Sequence, residues 1–318
     1  MNRLVAMDFE IRHLRSFLTV TEAGTFTDAA IELGISQAAV SRNVAALERA
    51  LGVRLLVRTT RSVELTPAGK RVIGRARHAL SALEDLQREA SSSKSTVRIG
   101  YAWSALGSHT PEFQRRWTAA FPDKDLLLIR TNTPTAGLAE GTTDLAILRR
   151  TPEPGTVDFV LTGYEKRYCA MAIADPLAAK RAVTLAQVSD ATLAIDPRTG
   201  STRLDLWPEG KQPVQTVITD DVDDWLTVIG SGKARGITAE STAHQYRRAG
   251  LAYRLVRDAP PVPVYLAWSR NDPPAIQTGA ADLIRSLYEG LGLTPGPGAC
   301  PDEAQPNLTS EFTQKPSG

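Results

Sequence analysis

The chain has 318 residues, enough for about two domains at roughly 150 residues each. With 42% hydrophobic and 23% charged residues it is composed like an ordinary globular protein, which excludes whole-chain disorder and collagen-like repeats. Its formal charge of +2 conceals an asymmetry: residues 1–95 carry 14 Lys/Arg against 10 Asp/Glu, and the remainder 23 against 25. The longest apolar run, Tyr168–Ala174, has seven residues between Arg167 and Asp175, whereas a membrane-spanning helix needs about 20. The opening residues carry no apolar secretory segment, and residues 1–6 read as an extension ahead of a helix entry near Met7. Cys169 and Cys300 are too few to staple a fold of this size, which suits a reducing cytoplasm. No CxxC, HExxH or Cys/His cluster offers a metal site, and no cofactor is expected.

Ile11, Leu14, Phe17, Leu18 and Thr21 share one helical face, and Gly24 ends that helix. Thr25-Phe26-Thr27 opens a second, with Phe26, Ala29, Ala30 and Leu33 inward. Gly34 breaks it, and Ser36 caps a third helix running to about Ala50, with Ala39 or Val40, Val44, Leu47 and Leu51 as its buried face. Two short helices joined at a glycine form the helix-turn-helix pattern. The second of them presents Gln37, Ala38, Ser41, Arg42 and Arg49 off its apolar stripe. A helix fits the DNA major groove; Gln pairs well with adenine, Arg with guanine, and a small Ala allows close approach.

Arg54–Arg58 and Val63–Leu65 read as a β-hairpin wing, whose basic residues Arg58 and Arg61 are placed to reach phosphates or a minor groove. Residues 42–77 hold nine basic side chains and two acidic ones, a balance that suits a polyanion, although charge alone leaves a merely solvated face equally open. Thr66 caps a further helix that has Pro67 at its first position. Its stripe of Val72, Ala76, Ala79, Leu80, Leu83 and Leu86 has no obvious globular partner and would be covered by a second copy. The serine run at 91–95 reads as a hinge.

The segment from Phe17 to Ile73 strongly resembles the winged helix-turn-helix of LysR-type transcriptional regulators. The matching residues are Ala29-Ala30, Leu33, Ser36-Gln37, Val40-Ser41, Leu47-Glu48, Leu51-Gly52, Leu55, Arg58, Leu65-Thr66 and Ala68-Gly69. Ala38 departs from the proline usual in the family, and Val57 from a phenylalanine or glutamate. The resemblance implies a double-stranded DNA partner met by Thr27, Ser36, Gln37, Ala38, Ser41, Arg42, Arg58 and Arg61. It also implies a homodimer through the 67–90 helix, a homotetramer through the C-terminal region, and contact with RNA polymerase in a cytoplasmic, nucleoid-associated protein.

After the hinge, strand patterns alternate with helical ones, so the chain reads as α/β with a largely parallel sheet. Strands are expected at Val97–Tyr101, Leu126–Ile129 and Leu145–Leu148, with helices from Thr110 to Phe121 and from Pro134 to Glu140. A second half is expected from about Cys169 through strands at Leu193–Ile195, Val214–Ile218 and Gly236–Thr238, with a helix over Val222–Ile229. Pro263–Trp268 then reads as a returning strand and Ala275–Leu291 as a closing helix. This half resembles the family's effector-binding region, two α/β subdomains like those of periplasmic binding proteins. Ligands of such folds meet the carboxyl ends of strands and helix N-termini. The candidates are Trp103, Ser104, Thr131, Arg149, Thr199, Ser201, Thr202 and Thr238, with Thr199–Thr202 expected to precede a helix. Hydroxyls, N–H groups and arginines suit a small anion such as a carboxylate.

The reading is therefore α followed by α/β: a winged helix-turn-helix at 8–66, a linker helix at 67–90, a hinge at 91–95, an effector domain at 96–293 and a disordered tail at 294–318. Subdomain I takes 96–163 and 267–293, and subdomain II takes 164–266. The function expected is effector-controlled transcriptional regulation. The alternative is a small-molecule-binding α/β protein, or an enzyme, whose helix-turn-helix does not act on DNA. No nucleophile elbow, catalytic triad spacing or phosphate-cradling loop supports an enzyme.

Overall fold

Helices form at the N-terminus where apolar residues recur at helical spacing behind a capping side chain. In the computed structural model, which describes residues 9–58, 63–91, 95–153, 155 and 157–289, α1 is Ile11–Ala23, α2 is Phe26–Leu33 and α3 is Gln37–Leu51. Thr25 Oγ1 accepts from the Asp28 N–H at 3.0 Å, and Ser36 Oγ from the Ala39 N–H at 3.2 Å. Each such cap is worth about 1 kcal/mol. Phe17, Val20, Ala29, Val40, Val44 and Leu47 meet in one core. Leu51, expected inside, is 37% exposed. The helix ends there at Gly52, and the chain beyond brings Leu55 into the core fully buried.

The wing is an antiparallel pair, β1 (Leu56–Arg58) and β2 (Val63–Leu65), with Leu56 opposite Leu65. The next helix, α4 (Pro67–Ser91), starts where Thr66 Oγ1 accepts from the Gly69 N–H at 2.9 Å. Part of its apolar stripe finds a partner within the chain. Ala76 is buried, and Val72, Ile73 and Leu80 pack on the same core as α1, whereas Leu86 is 63% exposed.

After α4 the elements are β3 (Ser95–Tyr101), α5 (Thr110–Ala120), β4 (Lys124–Arg130), β5 (Leu145–Leu148), β6 (Val157–Glu165) and β7 (Arg167–Ala172), and 92–94 of the expected hinge lie outside the described residues. They continue as β8 (Ala182–Val183), α6 (Leu185–Ser189), β9 (Leu193–Ile195), β10 (Thr216–Ile218), α7 (Val222–Gly230) and β11 (Gly236–Ala239). The last are α8 (Glu240–Gln245), β12 (Leu251–Val256), β13 (Val262–Ser269) and α9 (Gln277–Tyr288). The chain divides into two compact units: Met1–Leu148 with Pro152–Asp158 and Ala267–Gln277, and Arg149–Thr151 with Phe159–Leu266 and Thr278–Gly318. The expected tail at 294–318 lies outside the described residues.

In the first unit β3 runs parallel to both β4 and β5. Trp117 of α5 is buried and donates from Nε1 to the Lys124 carbonyl at 2.9 Å. The helix expected over Pro134–Glu140 is a run of turns instead. Ala136 and Gly137 take φ of +48° and +97°, left-handed values that a right-handed helix cannot continue through.

The second unit departs from the parallel expectation. Its main sheet is ordered β11-β7-β12-β8, and β7 is antiparallel to both neighbours. The chain enters this unit along β6–β7 and leaves along β12–β13, so neighbouring β7 and β12 run in opposite directions. The separate β9–β10 pair, the β12–β8 pair and a bridge between Leu193 and Arg235 are parallel. The helix expected after Thr202 shrinks to a three-residue helical turn, Leu204–Leu206. Pro208 holds the preceding Trp207 extended, and Trp207 is buried with its Nε1–H on the Leu185 carbonyl at 2.8 Å.

Candidate functional site

The N-terminal module offers one face. Gly34 turns the chain between α2 and α3 with φ +64°, a value that glycine adopts without steric penalty. Gln37, Ala38 and Arg42 are exposed on the first turns of α3, and Ser41 is half-buried beside them. Thr27 on α2 and the cap Ser36 are also exposed. Arg42 makes no ion pair with a described residue. Arg58 lies in β1 opposite Val63, and Arg61 lies outside the described residues. Of the basic block, Arg77 is already paired with Glu22 at 3.1 Å.

Glu48 holds the wing to α3. Its Oε1 accepts the Leu55 and Leu56 N–H groups at 2.7 and 3.1 Å. Asn43 ties α3 to α1 through Ser16 Oγ at 2.9 Å. Neither role shows in the local pattern, since the partners are seven to 27 residues away. A carboxylate just before an irregular segment that needs donors satisfied is the one signal available for Glu48.

The C-terminal candidates fall in both units. Trp103, Ser104 and Thr131 belong to the first. Trp103 and Ser104 are buried, and Thr131 is half-buried with its N–H on the Tyr101 carbonyl at 2.8 Å. Arg149, Thr199, Ser201, Thr202 and Thr238 belong to the second.

The fold draws Thr199, Ser201, Thr202 and Thr238 together. Asp196, just past β9 and 1% exposed, accepts the Arg198 and Thr199 N–H groups and the Thr199 hydroxyl, the last at 2.6 Å. Thr202 donates to the Ile237 carbonyl at 2.6 Å, next to buried Thr238 on β11. Arg167 of β7 donates to the Ser201 and Pro260 carbonyls, both at 2.8 Å. Burial pushes this arginine down to about 10. Asp196 was readable as a turn former, because Asp followed by Pro starts a type I turn.

Arg149 is not left for a ligand as expected. Its Nη2 and Nε reach Glu165 Oε1 and Oε2 at 2.8 and 3.2 Å, with both side chains under 10% exposed. Glu165 also accepts the Ser241 N–H at 3.1 Å, the Ser241 hydroxyl at 2.6 Å and the Tyr288 hydroxyl at 2.8 Å. Burial opposes the charge on Glu165, but Arg149, Ser241 and Tyr288 overcome it and hold the carboxyl below its usual range. Burial, with Glu165 nearby, raises Tyr288 well above an ordinary phenol. Sequence reasoning missed Glu165 and Tyr288, which lie 123 residues apart. Among the described residues no group of three or more His, Cys, Asp or Glu is arranged to hold a metal ion, and no described helix is long and apolar enough to cross a membrane.

Comparison with known proteins finds two family models. Residues 11–70 match the bacterial regulatory helix-turn-helix protein, lysR family, and residues 90–287 match the LysR substrate binding domain. The uncharacterized HTH-type transcriptional regulator YnfL of Escherichia coli K12 is 35% identical over 237 residues, 70% of this chain and 79% of its own. BenM of Acinetobacter baylyi is 26% identical over 302 residues, 91% of this chain and 99% of its own. The solved structure of CbnR, a LysR family transcriptional regulator, superposes with a TM-score of 0.68 at 24% identity, covering 88% of this chain and all of that one. Full-length CbnR complexed with its target DNA gives 0.62 at 24% identity over 87% and 99%.

Proposed function

Because the chain belongs to the LysR family of transcriptional regulators, we propose that it reads a specific site on double-stranded DNA and alters transcription when a small anionic effector binds. Residues 8–66 meet the DNA, 67–90 pair two copies, and 96–293 answer the effector. The observation that carries this reading is the outward face of α3, where Gln37, Ala38 and Arg42 are exposed beside Ser41. These four side chains are assigned to base edges. Thr27 and Ser36 flank them, and Arg58 and Arg61 are assigned to phosphates or the adjacent minor groove.

A dimer sets two recognition helices on half-sites about one DNA turn, roughly 34 Å, apart. The operator is then an interrupted palindrome, and pairing through the effector regions makes a tetramer. The protein works in the cytoplasm, on the nucleoid, and acts on RNA polymerase. The candidates for that effector are Trp103, Ser104 and Thr131 in the first unit and Thr199, Ser201, Thr202 and Thr238 in the second, each unit taken by itself; hydroxyl and backbone N–H donors at strand ends suit an anion, and Trp103 suits a ring. Arg149 serves indirectly in this reading, since Glu165 neutralises it.

Immunoprecipitation of the protein with its genomic DNA tests the proposal. A few sharp peaks that share an interrupted palindrome are expected, one of them beside its own gene. Uniform recovery across the genome would refute it. Genes next to the peaks nominate carboxylates for direct titration.

A further inference from the structure

The DNA-binding half and the candidate effector loop of the first unit meet at a contact between two backbones. We propose that Gly74 on α4 and Gly141 in the Thr131–Gly141 segment are positioning residues that couple the effector loop to the DNA-binding helices; the inference rests on the regulatory reading above. A Cβ on Gly74 would lie 2.0 Å from the Ala139 carbonyl oxygen. A Cβ on Gly141 would lie 2.5 Å from the Gly74 oxygen and 2.7 Å from the His78 nitrogen. No side chain separates helix and turn here, so no rotamer change can absorb a shift of one against the other. One helical turn on, His78 Nε2 and Asp272 Oδ2 sit 3.2 Å apart. A cavity of about 1130 Å³ surrounds the contact, bordered by Arg71, Arg75, Glu140 and Asp144. Space on its flanks makes the glycine pair a pivot.

Each end of the link is fastened. The segment begins at Thr131, a candidate effector residue bonded to Tyr101 at the end of β3. Between Thr131 and Gly141 it is internally tied. Thr133 and Thr135 donate to Glu140 Oε2 at 3.0 and 3.3 Å, the Gly137 N–H donates to Thr133 Oγ1 at 3.1 Å, and Thr143 donates to the Ala136 carbonyl at 3.0 Å. Ala136 is held at φ +48°, a conformation that persists only where neighbours enforce it. A displacement at Thr131 therefore reaches Gly141 rather than being lost in the loop. On the other side α4 packs through Val72, Ala76 and Leu80 on the core that also holds α1, α2 and α3. Moving α4 at Gly74 moves the recognition helix.

Coupling between two sites is reciprocal, so DNA can serve as the probe while the effector is unidentified. The experiment is amide hydrogen exchange of the full chain, with and without a duplex recovered by in vitro selection on that chain. In the wild type, saturating DNA is expected to change exchange across 131–143 by about fivefold, the lower end of ordinary coupling. Gly74→Ala favours the helix itself but parts it from the Ala139 carbonyl, so at saturating duplex it is expected to lose most of that change. Asp272→Ala removes only an exposed contact with His78, worth little to stability. It is expected to reduce the change about twofold, and it decides the matter if Gly74→Ala does not fold. No change in the wild type, or an equal change in the wild type and both variants, overturns the coupling. Failure of the wild type to select any duplex overturns the DNA reading and the coupling with it.

Discussion

Replacing Arg149 by methionine keeps the stem of the side chain and removes its charge, leaving Glu165 in a site where both residues are under 10% exposed. At 2.8 Å and an effective dielectric constant of about 20, the lost attraction is roughly 6 kcal/mol, part of which already offsets the desolvation of the two ions. Breaking one side of a buried pair typically costs about 3–5 kcal/mol. Glu165 keeps three donors from Ser241 and Tyr288, which favours the lower end, about 3 kcal/mol at neutral pH. The pH dependence should change sign. In the wild type the folded carboxyl is depressed, so its contribution is present above the usual carboxylate range and disappears as pH falls through the folded value. Without the guanidinium, burial is opposed less and the folded pKa rises. The variant then loses stability as pH rises from the usual carboxylate range, by up to about 1.4 kcal/mol per unit until the raised value is passed. Denaturant unfolding at pH 5 and pH 8, read by hydrogen exchange over 159–266, measures both effects. A loss under about 1 kcal/mol that is the same at both pH values would refute the buried pair.

Arg42→Ala is expected to cost about 1–3 kcal/mol in DNA affinity and to relax specificity at one base pair; equal loss on every sequence in a binding-site library would instead make Arg42 a phosphate contact. Glu48→Ala strips the Leu55 and Leu56 N–H groups of their acceptor and should destabilise the DNA-binding module by about 1.5–3 kcal/mol; an unchanged melting temperature would show that the wing is held by other contacts. Burial pushes the Cys169 thiol up to about 12. In a Cys300→Ser background, iodoacetamide at pH 8 should therefore modify Cys169 only at the rate of unfolding, and rapid labelling of the folded chain would contradict its burial.

The helices of the N-terminal module were legible because their caps and apolar spacing are local, unlike the ties from Glu48 and Asn43. Thr25, Ser36 and Thr66 each cap the helix that begins one residue later, and the apolar spacing names the core. Leu51 misled because periodicity continues to the last residue of a helix even where the core has stopped. The turns at 134–140 misled because a proline followed by good helix formers resembles a helix start, while the positive φ of Ala136 goes with a bond from the Thr143 hydroxyl to the Ala136 carbonyl, seven residues on and beyond the expected helix. The candidate loops after β3, β4 and β9 were found from strand ends. What engages them was not: Glu165 gathers Arg149, Ser241 and Tyr288 from separations of 16, 76 and 123 residues. Only the folded chain brings these groups together, and the same topology explains why an expected parallel sheet contains the antiparallel β7.

That topology also sets a timetable for synthesis. The helices and wing of the N-terminal module lie close in sequence, so they can assemble as soon as they leave the ribosome. In the second unit β7 must wait for β12, and Glu165 must wait for Tyr288. At about 5–20 residues per second the intervening stretch occupies the ribosome for roughly ten seconds or more. During that time a finished DNA-binding module is tethered to unfinished α/β units whose strand edges are still open. Nascent chains of this protein should therefore acquire affinity for DNA before they acquire any response to an effector.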